Sequence, residues 1–164
     1  MNTNAVKQSH DASTVKKYAQ HAPRYTSYPT ALKFEPLEED IYPQALAVSK
    51  APAVSLYVHI PFCKTLCYYC GCNKLVTRHN EKADDYLDYL EKEILSKRYL
   101  AEGKRVVSLH LGGGSPSFLS EIQHTFLIYL LKKHFTFELG AELSIELDAR
   151  NVDNTYLKYI RRLG

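Results

Sequence analysis

No run of about 18 apolar residues occurs anywhere in the chain, so the sequence predicts no membrane-spanning helix. A strong excess of one charge is missing too. The 21 Lys and Arg residues are interspersed with 18 Asp and Glu, giving a net charge of +3, and there is no concentrated basic patch of the kind that binds nucleic acid. The opening residues Met1-Asn2-Thr3-Asn4 lack the basic and then apolar pattern of a secretory signal. Cysteine is scarce and confined, all 4 lying between Cys63 and Cys72. An evenly spread disulfide framework is thereby excluded, since residues two to four apart are poor partners for unstrained bridges. Clustered cysteines without an export signal predict a reducing compartment, the cytoplasm. With 164 residues, 45% of them hydrophobic, the chain holds at most one ordinary domain and enough apolar mass for a core.

What is present is organised around Cys63-Lys64-Thr65-Leu66-Cys67-Tyr68-Tyr69-Cys70-Gly71-Cys72. The spacing is C-x3-C-x2-C-x-C, directly after the apolar run from Val54 to Phe62, so the loop leaves the end of a predicted strand. Ligand sets at the carboxyl ends of parallel strands face the usual site of α/β folds. Zinc sites more often pair two separated C-x2-C knuckles or recruit a distant His, whereas iron–sulfur clusters favour closely packed cysteines. The spacing favours a cluster, with zinc or unliganded thiols as the alternatives. Cys70 and Cys72 are separated by Gly71 alone, so the simplest ligand set is Cys63, Cys67 and Cys70, with Cys72 unassigned. Three cysteines on a four-iron cluster leave one iron open to a small molecule, which is a catalytic arrangement.

Around this loop the hydrophobic pattern alternates in type. Residues 1 to 14 are polar and expected to be disordered. A short helix is predicted over Val15 to Gln20, and another over residues 40 to 50. Between Arg24 and Pro43, three prolines among Tyr25, Tyr28, Phe34 and Tyr42 suit an extended arm. Strand-like runs at 54–60, 106–112 and 141–148 alternate with helical stripes. Leu87, Leu90 and Ile94 follow the acidic Asp84-Asp85; Leu119, Ile122, Phe126 and Tyr129 follow Pro116; Tyr156, Ile160 and Leu163 follow Asp153, with Gly164 as carboxyl cap. This βαβαβα order predicts an α/β fold with parallel strands. Each run alternates: Leu56, Val58 and Ile60 against Tyr57 and His59; Val107, Leu109 and Leu111 against Ser108 and His110; Leu143, Ile145 and Leu147 against Ser144, Glu146 and Asp148. One face is for helices, and the polar face either is solvated or lines a lumen holding a polar ligand. Residues 1–50 form a tail and extended arm in this reading, and 51–164 the first three βα units of an incomplete barrel or of a doubly wound sheet, between which the pattern alone does not decide. A second motif, Leu111-Gly112-Gly113-Gly114-Ser115-Pro116, sits where the second strand meets its helix, and its glycines either make a plain tight turn or let a ligand approach the backbone.

The C-x3-C-x2-C loop resembles that of radical S-adenosylmethionine enzymes. More closely, Tyr57-Val58-His59-Ile60-Pro61-Phe62-Cys63, Cys67-Tyr68-Tyr69-Cys70-Gly71-Cys72-Asn73 and Pro23-Arg24-Tyr25-Thr26-Ser27-Tyr28-Pro29-Thr30-Ala31 resemble oxygen-independent coproporphyrinogen III oxidases. The resemblance implies the first half of a partial (β/α)6 TIM-like barrel, preceded by the arm. It implies oxidative decarboxylation of coproporphyrinogen III to protoporphyrinogen IX in haem biosynthesis, through an adenosyl radical generated at a [4Fe-4S] cluster. A longer monomer, a separate reducing electron donor and an inactive isolated fragment are further expectations. Two S-adenosylmethionine molecules are implied. Tyr57, Gly113 and Glu146 carry over to the first, and Tyr69, Gly114 and Ser115 to the second; Cys63, Cys67 and Cys70 carry over as cluster ligands. Arg24, a bidentate partner for carboxylates, and His59 are weaker candidates for substrate contact, and His110 reads as an interior histidine. Tyr69, Ser115 and Ala149 stand where the family pattern has phenylalanine, threonine and proline. Related haem chaperones share the three-cysteine loop but typically lack the fourth cysteine and the arm, which favours the oxidase. A haem-binding chaperone on the same scaffold and a zinc-stabilised structural domain are the alternatives.

Overall fold

A computed structural model describes residues 11–19 and 31–164. The chain divides into two compact units, residues 1–39 and 40–164. In the first, helix α1 spans Ala12–Tyr18. It starts earlier than the predicted 15–20 because the Asp11 carboxylate accepts the Ser13 N–H at 3.2 Å, an aspartate at a helix start supplying an acceptor the first turn lacks. Arg24 and the rest of the predicted arm up to residue 30 lie outside the described residues. A 3-10 turn follows at Ala31–Lys33.

The second unit opens with α2, Ile41–Val48. Pro43, where the predicted arm and the predicted helix over residues 40 to 50 overlap, sits in the first turn of this helix, where its missing N–H would have no intrahelical partner. Strands β1 (Ala53–Ile60), β4 (Arg105–Gly113) and β5 (Phe137–Ile145) then make a 3-stranded parallel sheet in the order β1-β4-β5. Helices α3 (Lys82–Lys97), α4 (Glu121–His134) and α5 (Asn154–Leu163) alternate with the strands. The alternating α/β order and the parallel sheet agree with the sequence reading; the barrel is not closed. A further short parallel pair, β2 (Phe62–Cys63) with β3 (Leu75–Val76), had no counterpart in that reading. Neither member is long enough to show a period.

The core forms where the strands' apolar side meets α3 and α4. Val58 and Ile60 of β1 and Leu109 and Leu111 of β4 pack with Leu87, Leu90 and Ile94 of α3 and Leu127, Leu130 and Leu131 of α4. Burying such side chains contributes about 1.5–3 kcal/mol each. One phase differs from expectation. Val106 is fully buried and Val107 40% exposed, because the pairing with β1 passes from Val106 to Ser108 and leaves Val107 as a bulge. The third strand also differs, running 137–145 rather than 141–148. Phe137 pairs with Val106 and Glu142 with Ser108, so residues 138–141 loop out opposite Val107. Gly140 at φ 81 permits that excursion, and Leu139 is 98% exposed on it. Glu146, Leu147 and Asp148 therefore follow the strand rather than end it.

Helix α4 begins later than the Pro116 signal suggested. Pro116–Phe118 is a separate 3-10 turn, and the helix is started by a capping box, in which the Gln123 N–H donates to Ser120 Oγ at 3.3 Å and the Ser120 N–H to Gln123 Oε1 at 2.9 Å. The Gln123 amide reaches on to the Asp84 carboxylate at 2.7 Å, joining the amino ends of α3 and α4. Helix α5 begins where expected, with the Asp153 carboxylate accepting the Tyr156 N–H at 2.8 Å.

His124 of α4 is fully buried. Its Nδ1–H donates to the Ser120 carbonyl at 3.2 Å, while Nε2 has no partner among the described residues. Burial lowers its pKa from 6.5. The unfolded chain thus binds more protons than the folded one below about pH 6.5, so stability is complete above that value and is lost as pH falls through the folded pKa. A denaturation series from pH 8 to pH 5 should show the midpoint falling with acid, and His124→Leu should flatten the lower limb of that curve.

Candidate functional site

The cysteine loop is tied down at its base by backbone and by one lysine. The Leu75 N–H donates to the Pro61 carbonyl at 2.6 Å and the Thr77 N–H to the Cys63 carbonyl at 2.9 Å. Across the top, Lys74 Nζ donates to the carbonyls of Cys70 and Cys72, each at 3.2 Å. A turn bond from the Cys70 N–H to the Cys67 carbonyl, 3.0 Å, closes the middle. All four thiols are free. Cys63 is buried, Cys67 and Cys70 are half-buried and Cys72 is exposed. Burial, followed by the neighbouring Cys70 and Cys67, pushes the Cys63 thiol up. Cys70 is lowered, chiefly by the Cys72 backbone N–H, whereas Cys72 is raised by its thiol's hydrogen bond to Cys70. Cys72 thus lies against the predicted ligand Cys70.

The glycine corner lies directly beneath. The Gly114 N–H donates to the Ile60 carbonyl and the Ser115 N–H to the Phe62 carbonyl, both at 2.8 Å. A Cβ on Gly114 would lie 2.8 Å from the Phe62 carbonyl oxygen and 3.0 Å from Cys63 Sγ. Gly113 has φ 111, and a Cβ there would stand 2.9 Å from the His59 ring. Much of the space freed by these glycines is therefore taken by the protein itself: the cysteine strand and an imidazole sit against the backbone.

Four predicted residues form one network on the polar side. The Asn73 carbonyl can only accept, so His59 Nε2–H donates to it at 2.8 Å, and Nδ1 accepts from the Tyr57 hydroxyl at 3.0 Å. The Tyr57 ring stacks on His110 with centroids 5.8 Å apart. His110 Nε2 faces Glu146 Oε1 at 3.4 Å, and the carboxylate makes the ring nitrogen the donor. Glu146 Oε2 accepts the Gly113 N–H at 3.3 Å. Burial and then the Glu146 charge push the Tyr57 phenol above its usual value. Tyr57, Gly113 and Glu146, which the resemblance grouped, are brought together here with His59, and His110 joins them.

Beyond Glu146 the chain turns at Asp148, whose carboxylate caps the 3-10 turn Ala149–Asn151 by accepting the Arg150 N–H at 3.0 Å. Its two oxygens also take Arg150 Nε at 2.8 Å and Nη2 at 2.9 Å. The Arg150 guanidinium lowers the Asp148 pKa to about 2. Lys74, Ser117, Asp148 and Arg150 were not singled out as site residues from the sequence. No spacing rule marks a cation that reaches a loop through the fold.

A cavity of about 580 Å³ gathers these parts, with Cys63, Cys67, Tyr69, Gly114, Ser115, Glu146 and Arg150 among its lining residues. That volume is in the range of small-molecule sites. Cys70, Tyr57, His59 and Gly113 do not line it, and Arg24 lies outside the described residues. Among the described residues, no three His, Cys, Asp or Glu side chains are gathered to hold one metal ion.

No family model matches the chain. Individual proteins do. It is 46% identical over 140 residues to an oxygen-independent coproporphyrinogen III oxidase of Mannheimia haemolytica, covering 84% of this chain and 95% of that relative. The chain belongs to the oxygen-independent coproporphyrinogen III oxidase family. The family's Escherichia coli member is 48% identical over 155 residues, 94% of this chain and 34% of that relative, and that of Pseudomonas aeruginosa is 40% identical over 163 residues. The chain thus spans about a third of the length of several of its full relatives. Among solved structures, coproporphyrinogen III oxidase from Escherichia coli, described as a radical SAM enzyme, matches with a TM-score of 0.79 and 47% identity, over 93% of this chain and 34% of that one.

The seam between glycine corner and cysteine strand gives a direct test. Gly114→Ala should destabilise the chain by about 1–3 kcal/mol, since the added methyl meets backbone that must shift. Urea denaturation would show it as a lowered midpoint.

Proposed function

We propose that this chain forms the cofactor-binding part of an oxygen-independent coproporphyrinogen III oxidase. Such a protein converts coproporphyrinogen III to protoporphyrinogen IX by oxidative decarboxylation of two propionates, each losing carbon dioxide, a hydrogen atom and one electron to leave a vinyl group. The observation that carries the reading is the single cavity onto which Cys63, Cys67, the Gly114-Ser115 corner and Glu146 open. Family membership supports it. The donor set fits an iron–sulfur cluster: four free thiols share one short loop, and cysteines bound to different irons need not converge on a single point as ligands of one ion must.

Cys63, Cys67 and Cys70 are the proposed cluster ligands. When bound, the cluster supplies the electron that cleaves S-adenosylmethionine. The chain's own contribution is to place and shield. Lys74 holds the loop carbonyls, and the Gly114 and Ser115 amides hold its base. Glu146, fixed by Gly113 and His110, keeps an acceptor oriented toward ribose hydroxyls or cationic ligand charge, in the proposed first site with Tyr57 and Gly113. Tyr69, Gly114 and Ser115 are proposed for a second molecule. Arg24 and His59 are the proposed substrate contacts, and since both His59 nitrogens have protein partners, its contact requires one of those bonds to exchange.

Anaerobic loading with iron and sulfide, followed by electron paramagnetic resonance of the reduced protein, tests this. A cluster signal that changes on adding S-adenosylmethionine is the expected result; colourless protein retaining zinc would refute it. In the same assay Cys67→Ser should abolish cluster loading and Cys72→Ser should spare it. Equal iron loss in the two variants would sink the three-ligand assignment.

A further inference from the structure

Arg150 has no part in the function proposed above, yet it is clasped beside the cysteine loop. Its Nε and Nη2 are both held by the Asp148 carboxylate, and the same Nη2 lies 3.6 Å from Cys67 Sγ, within donor range for a sulfur acceptor. Asp148 is itself fixed. Its carboxylate also accepts from the Asn151 amide at 2.7 Å, and its backbone N–H donates to Ser117 Oγ at 3.3 Å. Ser117 Oγ in turn lies 2.8 Å from Ser115 Oγ in the glycine corner. A continuous hydrogen-bonded path therefore joins the glycine corner to the middle cysteine.

Two roles suit a guanidinium lining a cavity. Capture of an anionic ligand is disfavoured, because Asp148 already occupies one edge of the fork and cancels its charge. A donor aimed at a sulfur does not need a net charge. Hydrogen bonds to ligating sulfurs set the reduction potential of iron–sulfur centres, and outer groups that orient ligands tune the metal. We infer that Arg150 is a positioning residue for the cysteine loop: clasped by Asp148, it donates Nη2–H to the Cys67 sulfur and stabilises the one-electron-reduced state of the group that loop holds. Only an electron is added in that step, and no bond is made or broken at Arg150. The role rests on the cluster-binding function proposed above.

The test is a redox titration, followed by electron paramagnetic resonance, of the protein after anaerobic loading with iron and sulfide, for the unaltered chain, Arg150→Gln and Arg150→Lys. Arg150→Gln should lower the equilibrium constant for reduction about tenfold, equivalent to roughly 59 mV for one electron, with Arg150→Lys in between. Equal potentials in unaltered and Arg150→Gln protein at equal iron content would overturn the assignment and leave the proposed function standing. Iron lost from Arg150→Gln but kept by Arg150→Lys would support a donor at this position, whereas iron lost equally from both would make Arg150 a mere scaffold and overturn it. No iron in the unaltered protein would remove the proposed function and this role together.

Discussion

The parallel pairing of β1 with β4 does not stop at the edge of the sheet, and the site depends on that continuation. Ile60 pairs with Gly113 at the last register position, and the next two amides, of Gly114 and Ser115, bond the Ile60 and Phe62 carbonyls. The ladder thus runs on into the strand that carries Cys63. Any side chain at Gly114 would push the two backbones apart. An unmade backbone bond in a buried place costs about 1–3 kcal/mol, so a corner without side chains is the simplest way to keep the first cysteine in register with the sheet.

Once Cys63 is registered to the sheet, the polar residues of the strands fall into reach by period alone. Tyr57 and His59 are two apart on β1, and His110 pairs across from Tyr57. Alternation puts them on one side, away from Val58 and Ile60. The resulting network has a defined proton order: Tyr57 donates to His59, His59 to the Asn73 carbonyl, and His110 to Glu146. Asn73 belongs to the far side of the cysteine loop. The His59 bond consequently links the sheet to both ends of that loop, a second restraint beside Lys74.

How much of this was legible in the sequence follows from the kind of signal each part gives. Period-two alternation in β1 and helix ends with acidic or Asp caps are local properties, and the sheet, α3 and α5 follow them. The bulge at Val107 and the excursion at 138–141 are settled by pairing between strands, which a single strand's pattern does not record. Alternation through Leu143, Ile145 and Leu147 even favoured the wrong span, since Leu147 continues the phase after the ladder has ended. The capping box at Ser120 was readable as Ser-x-x-Gln, but Pro116 gave a competing start that belongs to a 3-10 turn. For the site, the cysteine spacing and the glycine run marked in the sequence two segments that line one cavity in the fold. Asp148 and Arg150 carried no local sign, because their meaning comes from Cys67, which lies far away in sequence.

The site's electrostatics follow from this division between local and distant. Cys63 sits where burial disfavours a thiolate, while Lys74 and Arg150 bring cationic groups to the loop, one through its carbonyls and one toward the Cys67 sulfur. A loop of thiolates alone would repel itself, and a low-dielectric setting would sharpen that repulsion. Neither cation is unaccompanied: Lys74 is spent on carbonyl oxygens and Arg150 on Asp148. Arg150 thus presents an oriented N–H dipole whose charge Asp148 offsets, whereas Lys74 keeps its full positive charge while its N–H groups are held by the loop carbonyls. Oriented dipoles hold their geometry whichever charge state the loop adopts, so the same scaffold can stabilise added negative charge without collapsing onto the thiolates when that charge is withdrawn.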